Sequence, residues 1–345
     1  MTKKKSNEYW AGRFDQIEQA QNNKSVRYIR ELEKKYSLAF KDIQTKIDSW
    51  YNRLAKNNEV TVEEARKLLN KSELKEFRWT VEEYIKAGKE NAIDQRWLKE
   101  LENASSRFHI RRLEALQLEI RHQIEMLMNE AQIDMYDTLK EVYKDGYYKT
   151  CFELQKGIGV GFDVSLLNDD KIKRILSKPW AVSGWNFSET LWGNKKKLIN
   201  LLDQSLSRMV LTGQHPNTVI KELMKTFDAS ENNVRRLVLT EQAYFTTLSQ
   251  KDGYKESGLS EYQVVTIMDG KTCDDCQDHE GEHHPTDQME VGVTAPPFHP
   301  YCRCTTAPYF PDDKTLYKVI DNKGNTYDIP SNMSFVEWKK INGIN

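Results

Sequence analysis

The chain has 345 residues, enough for about two domains, and its 38% apolar and 30% charged content suits solvated helices with narrow apolar stripes better than a thick α/β core. With 51 Lys and Arg against 52 Asp and Glu the net charge is −1, which argues against a general polyanion binder, since phosphate binding needs an excess of basic side chains. No run of about 18 apolar residues is present, which excludes a membrane-spanning helix.

Met1-Thr2-Lys3-Lys4-Lys5 runs into Glu8-Tyr9-Trp10 with no apolar segment behind the charges. That pattern is not a signal peptide, so the protein is expected to be made and kept in the cytoplasm unless it leaves within an assembly. Residues 1–156 read as a helical bundle or hairpin domain. Val26 to Leu54 is one candidate helix, and Thr61-Val62-Glu63-Glu64 has the cap residue and acidic first turn of another. The clearest helix spans Ser105 to about Tyr143, where Ile110, Leu113, Leu116, Ile120, Ile124, Leu127, Ala131, Met135, Leu139 and Val142 fall at steps of three and four. Cys151 stands apart from the other cysteines and reads as an ordinary buried thiol.

Gly157-Ile158-Gly159-Val160-Gly161 opens an expected linker over residues 157–193. No strand leads into this glycine run and no helix start follows to take a phosphate, so it reads as a flexible joint and not as a nucleotide loop. Trp180, Trp185, Phe187 and Trp192 read as packing anchors between domains, because they lack the interleaved Arg or Lys of a base-stacking surface.

Residues 194–310 form the next expected module. Leu198, Leu201, Leu202, Leu206, Met209 and Val210 mark one amphipathic helix ended by Gly213, and Pro216 starts a second. Ser230-Glu231 is expected to cap a third, carrying Val234, Leu237, Val238, Ala243 and Phe245. Lys195-Lys196-Lys197 reads as a solvated helix start. From Tyr262 to Met268 the texture is that of a strand, and Asp269-Gly270 is a hairpin-turn signal. Residues 311–345 are expected to form a terminal hairpin, from Tyr317–Ile320 and Thr326–Ile329, and a short closing helix from Ser334 to Ile341.

The chemistry is concentrated between Cys273 and Cys304. Cys273 and Cys276 form C-x-x-C, and His299-x-x-Cys302 returns an imidazole and a third thiol. That set suits tetrahedral Zn²⁺, and a filled shell of four leaves no position for water or substrate, which points to a structural ion and a non-enzymatic protein. Cys304, at C-x-C spacing, can replace either His299 or Cys302. The loop between the pairs is polar, so a small fold here needs such a staple. Together these readings give a mainly α chain, with an elongated helical N-terminal domain and a small α+β C-terminal domain stapled by zinc.

Rival readings fit less well. Catalytic Cys–His pairs come from separate elements held by a third group, whereas clustered cysteines fit a metal. A zinc deaminase needs H-x-E ahead of P-C-x-x-C, and here the order is reversed. His279-Glu280 and Glu282-His283-His284 do not supply H-E-x-x-H on a helix. They read as an exposed loop, with His283 or His284 as outside candidates for the metal. A nucleic-acid-binding knuckle is opposed by Asp274, Asp275, Asp278, Glu280, Glu282, Asp287 and Glu290 around it. If DNA is contacted, Lys195 to Lys197 or Arg235 and Arg236 are the candidates.

The D-G-K-T-C-x-x-C element followed by P-P-F-H-P-x-C-R-C-T-T resembles the C-terminal module of the phage minor head proteins, the Mu F-like family of head morphogenesis proteins. With the upstream helix carrying Arg235, Arg236, Leu237, Thr240 and Glu241, the resemblance covers roughly residues 190 to 310. Lys271 stands where the family more often has Arg, which keeps the charge. The resemblance implies a minor capsid protein of the virion, with the portal protein and the major capsid or scaffolding proteins as partners and phage DNA as a further candidate. Some relatives fuse a toxin enzyme to this module. Residues 311–345 are too few for such a domain.

Overall fold

The computed structural model describes residues 5–57, 61, 86, 112–180, 184, 186–212, 216–269, 271–311, 327–330 and 332–344. The expected first turn at 62–64, the start of the helix expected from 105, and the strand expected at 317–320 lie outside the described residues. In chain order the elements are α1 (Asn7–Asn57), α2 (Arg112–Ile158), β1 (Val160–Gly161), α3 (Asp169–Leu176), α4 (Phe187–Thr212), α5 (Pro216–Glu256), β2 (Glu261–Val265), α6 (Asp274–Asp278), β3 (His283–Pro285), β4 (Thr305–Tyr309), β5 (Tyr327–Asp328) and α7 (Phe335–Ile341). The protein is thus mainly helical with a small sheet-containing C-terminal region. No helix among the described residues is long and apolar enough to cross a membrane.

Two compact units interleave segments of the chain. The first comprises Met1–Ile29, Met135–Trp180 and Arg236–Asn345, and the second Arg30–Asp134 and Ala181–Arg235. In the first unit α1 and α2 run antiparallel: Arg13 Nε donates to Glu153 at 2.7 Å, and Lys24 Nζ pairs with Asp145 at 2.6 Å. In the second unit Lys35 pairs with Asp134 at 2.7 Å and Lys46 lies 4.0 Å from Glu119. The four cations of α1 recur every eleven residues. So do its buried positions, Trp10, Gln21, Leu32 and Ile43 in one row and Phe14, Ser25, Tyr36 and Ile47 in another. An eleven-residue repeat corresponds to about 3.67 residues per turn, close to the natural pitch of an α-helix.

Helix α2 extends beyond the expected end near residue 143 because its buried stripe continues through Tyr147, Cys151 and Leu154. The glycine run that follows is ordered rather than a loose joint. Gly157 lies in α2 against the Trp10 ring, Gly159 ends the helix at φ 82°, and Val160–Gly161 pairs with β5. Only glycine takes that positive φ without steric cost, which makes Gly159 the helix stop. β5 was expected to pair within a terminal hairpin; its described partner is β1, in antiparallel register Val160↔Asp328.

Two other expectations are corrected. Ser230 does not cap a third helix: α5 runs unbroken from Pro216 to Glu256, and the Ser230 hydroxyl is buried 3.1 Å from Tyr36 Oη. No glycine or proline interrupts the pattern there, so nothing stops the helix. Lys195 is not at a solvated helix start. It is buried inside α4, pairs with Glu125 at 2.8 Å, and sets its ammonium 3.2 Å from the centre of the Trp192 ring. Trp192 is itself half-exposed, and Trp180 stacks on Tyr244 at 4.2 Å within the first unit. Trp185 lies outside the described residues.

The first unit's core joins distant parts of the sequence. Trp10, Phe14 and Ile17 of α1 pack with Leu154, Tyr254, Leu259, Tyr262, Met289, Ala307 and Phe310. Asn7 reinforces this docking, taking bonds from Gln263 Nε2 and from the Phe310 amide, both at 3.3 Å. The sheet has the order β3-β2-β4, all antiparallel, with Gln263 opposite both His283 and Ala307. A second cluster seats Trp338 of α7 against Tyr147, Tyr148 and Phe152, with its indole N–H donating to Gln155 at 2.7 Å.

Candidate metal centre

β2 is shorter than the strand texture suggested, ending at Val265. The chain leaves the sheet at Thr266, whose hydroxyl donates to the Cys276 carbonyl at 3.0 Å. Asp269 to Thr272 then forms a tight turn, with the Thr272 amide donating to the Asp269 carbonyl at 3.1 Å. It is not a hairpin turn, because α6 intervenes before β3 pairs with β2. Cys273 occupies the N-cap of α6 and Cys276 lies within it, so one helical turn aims both thiols the same way. The second loop, after residue 295, brings His299 and Cys302 back through a turn in which the Cys302 amide donates to the His299 carbonyl at 3.1 Å. Tyr301 adopts a left-handed φ of 64° in that turn. Pro300 before it suits a type II geometry, which normally favours glycine where Tyr301 stands.

The donor atoms fall into two sets that share Cys276. Cys273, Cys276 and His299 lie within 4.8 Å of one another, as do Cys276, Cys302 and Cys304. Cys273 Sγ and Cys276 Sγ stand 3.2 and 3.1 Å from His299 Nε2, and the Cys276 and Cys302 sulfurs are 3.8 Å apart. A tetrahedron with ligand bonds of about 2.0–2.3 Å has edges of roughly 3.4–3.8 Å, so these atoms already stand near the spacing that one ion requires. The cluster can therefore hold a metal ion. Cys273 is exposed, while Cys276, Cys302 and Cys304 are buried with Phe298 packed over them.

The surroundings favour a ligand role for His299. Its Nδ1 lies 2.7 Å from the Pro300 carbonyl, which can only accept, so Nδ1 carries the proton and Nε2 offers its lone pair to the sulfurs. The thiols differ among themselves. A hydrogen bond from Cys304 draws the Cys302 thiol down to about 5, whereas burial pushes Cys276 up to about 12. Cys304 is raised, first by its bond to Cys302 and then by burial. Cys302 is thus the natural thiolate of the buried pair and Cys304 its donor.

The neighbouring histidines are engaged elsewhere. His279 bonds Glu282 at 2.7 Å and stacks on Phe298 at 4.0 Å. His283 lies 3.2 Å from Glu261 and stacks on Tyr309, and His284 Nε2 is 3.6 Å from Glu282. Neither His283 nor His284 joins the two donor sets. Sequence reading passed over the bidentate pair between Asp269 and Arg303, at 2.7 and 2.6 Å, although both residues stand inside the quoted motif.

Residues 200–307 match the family described as phage Mu protein F like protein. No curated protein and no solved structure matches the chain. The matched segment, about a third of the sequence, holds all five donors; it is Mu F-like, as the cysteine–histidine motif implied, and such modules belong to phage head morphogenesis proteins.

Proposed function

We propose that this protein is a minor capsid component of a phage or prophage, associated with the portal during head assembly and DNA packaging or ejection, and that its donor cluster holds one structural zinc ion. The observation that carries this reading is the Mu F-like segment folded around the cysteine–histidine cluster. The family context supports capsid-assembly partners in general. The portal protein, the major capsid or scaffolding proteins and the DNA are this reading's specific candidates, with the virion as its location.

Cys273, Cys276, His299 and Cys302 are the proposed ligands. Thr266 supports leaving Cys304 outside the set: its one hydroxyl proton goes to the Cys276 carbonyl, so its oxygen faces Cys304 Sγ, 3.5 Å away, as an acceptor for an S–H. Bound there, zinc supplies a cross-link between two loops and no vacant position for chemistry, which supports a non-enzymatic role. The acidic residues flanking the knuckle, all exposed, disfavour the alternative of a nucleic-acid-binding knuckle.

Elemental analysis of the purified chain tests the metal: about one Zn per chain is expected, retained in Cys304→Ser and lost in Cys273→Ser and Cys276→Ser. Retention on immobilised portal protein, and detection in purified particles by mass spectrometry, test the role. A chain that is absent from particles, ignores the portal and responds in a nuclease or transferase assay is an enzyme, and the capsid reading then fails.

A further inference from the structure

We propose that Asp269 and Arg303 are a positioning pair that locks the two donor loops together, so that the metal meets a preassembled site. The inference rests on the metal-centre reading above. Arg303 sits between Cys302 and Cys304, and its guanidinium forks onto both oxygens of Asp269, Nη1 to Oδ2 at 2.7 Å and Nη2 to Oδ1 at 2.6 Å. Asp269 is in turn fixed to the loop that presents Cys273. Its Oδ1 accepts from the Lys271 amide at 2.9 Å and lies 3.3 Å from Thr272 Oγ1, and its own amide donates to Thr272 Oγ1 at 3.0 Å. Thr272 directly precedes Cys273 and also takes a bond on its carbonyl from Gln277 of α6, at 3.0 Å. One carboxylate therefore ties the C-x-x-C turn to the C-R-C strand entrance.

Both side chains are about two-fifths exposed, and an exposed ion pair adds little to global stability. What the fork does add is geometry. A planar guanidinium bound bidentately fixes distance and angle between two loops that otherwise meet only through the donors themselves. With the loops held, the metal need not bear the entropy of bringing Cys273 and Cys276 to Cys302. Without the fork that cost falls on the metal, and it is released faster.

The experiment uses the full chain loaded with Zn²⁺ and, separately, with Co²⁺, and follows metal loss to a chromophoric chelator. Arg303→Gln and Asp269→Asn are expected to lose metal roughly 10–100-fold faster than wild type, the range for groups that orient ligands from outside the coordination shell. Arg303→Lys keeps the charge but not the fork, and is expected to fall between. The Co²⁺ absorption bands are expected to keep their tetrahedral intensity in all three, since the ligands are untouched, and the helical circular dichroism to stay at its wild-type value. Metal loss from Arg303→Gln and Asp269→Asn within about twofold of wild type overturns the positioning role. So does Arg303→Lys behaving like wild type, because charge alone then suffices. A wild-type chain that takes up neither ion sinks the metal centre itself, a result distinguishable from the other two.

Discussion

Gly157→Ala puts the packing of α1 against α2 in the first unit to a sharp test. Gly157 lies in the last turn of α2, where alanine would ordinarily favour the helix by up to about 1 kcal/mol. Here a Cβ would stand 2.8 Å from Cζ2 and Cζ3 of Trp10 and closer still to Cη2. Carbon atoms in contact prefer about 3.5–4.0 Å, so the indole has to retreat by roughly 1 Å. It has little room, being 2% exposed and packed on Phe310 at 5.3 Å and Phe14 at 6.5 Å between ring centres. Overpacking of this kind costs about 1–3 kcal/mol, and a rigid bicyclic ring belongs at the upper end. Subtracting the helix gain leaves a net loss of about 2 kcal/mol, or roughly 4–8 °C in melting temperature for a unit of this size. Thermal and urea unfolding of Gly157→Ala, Trp10→Leu and the double variant form the assay. Trp10→Leu alone opens a cavity and destabilises, but in its background Gly157→Ala is expected to become neutral or mildly stabilising. A Gly157→Ala chain as stable as wild type, with the Trp10 indole present, would refute the packing.

Two further outcomes follow from buried charge. Glu18 is fully buried, its carboxylate taking a bond from Gln242 Nε2 at 2.8 Å, and burial raises it from 4.5 to about 8. Between these values the unfolded chain has released a proton that the folded chain still holds, so this residue makes stability fall as pH rises from about 4.5 to 8. Glu18→Gln keeps the hydrogen-bonding shape without the titration; urea unfolding at pH 5 and pH 8.5 is expected to show a smaller fall than wild type, and an equal fall would contradict the assignment. In the second unit, Lys195→Met leaves the buried Glu125 carboxylate without its 2.8 Å partner. A loss of about 3–5 kcal/mol is expected, with most of it recovered in Lys195→Met/Glu125→Leu, because an apolar pair often replaces a buried ion pair without cost. Failure of the second substitution to recover stability would show that the pair is not an isolated one.

The helical character and the donors were legible because each rests on a local signal. The apolar rows of α2 repeat at helical spacing, and Cys273, Cys276, His299 and Cys302 stand at ligand spacing within two short stretches. What escaped the sequence depends on partners far along the chain. Ser230 carries the composition of a helix cap, but its hydroxyl is used by Tyr36, and Lys195 sits in a basic run yet faces Glu125. Gly157 and Gly159 looked like a joint because the reason for the first is a tryptophan nearly 150 residues upstream. The core of the first unit hid for the same cause: Trp10 and Phe310 meet only in the fold. Arg303 and Asp269 lie in recognisable motifs, but a spacing of 34 residues says nothing about a fork between them.

The eleven-residue recurrence in α1 makes that helix a ruler graduated in steps of three turns, about 16.5 Å each. A change of length that is not a whole graduation swings Arg13, Lys24, Lys35 or Lys46 away from its carboxylate on α2 and turns polar residues inward. Relatives whose first helix is longer or shorter are therefore expected to differ by elevens, with a matching change in α2, and a four-residue deletion within α1 is expected to abolish folding where an eleven-residue deletion, paired across both helices, is tolerated.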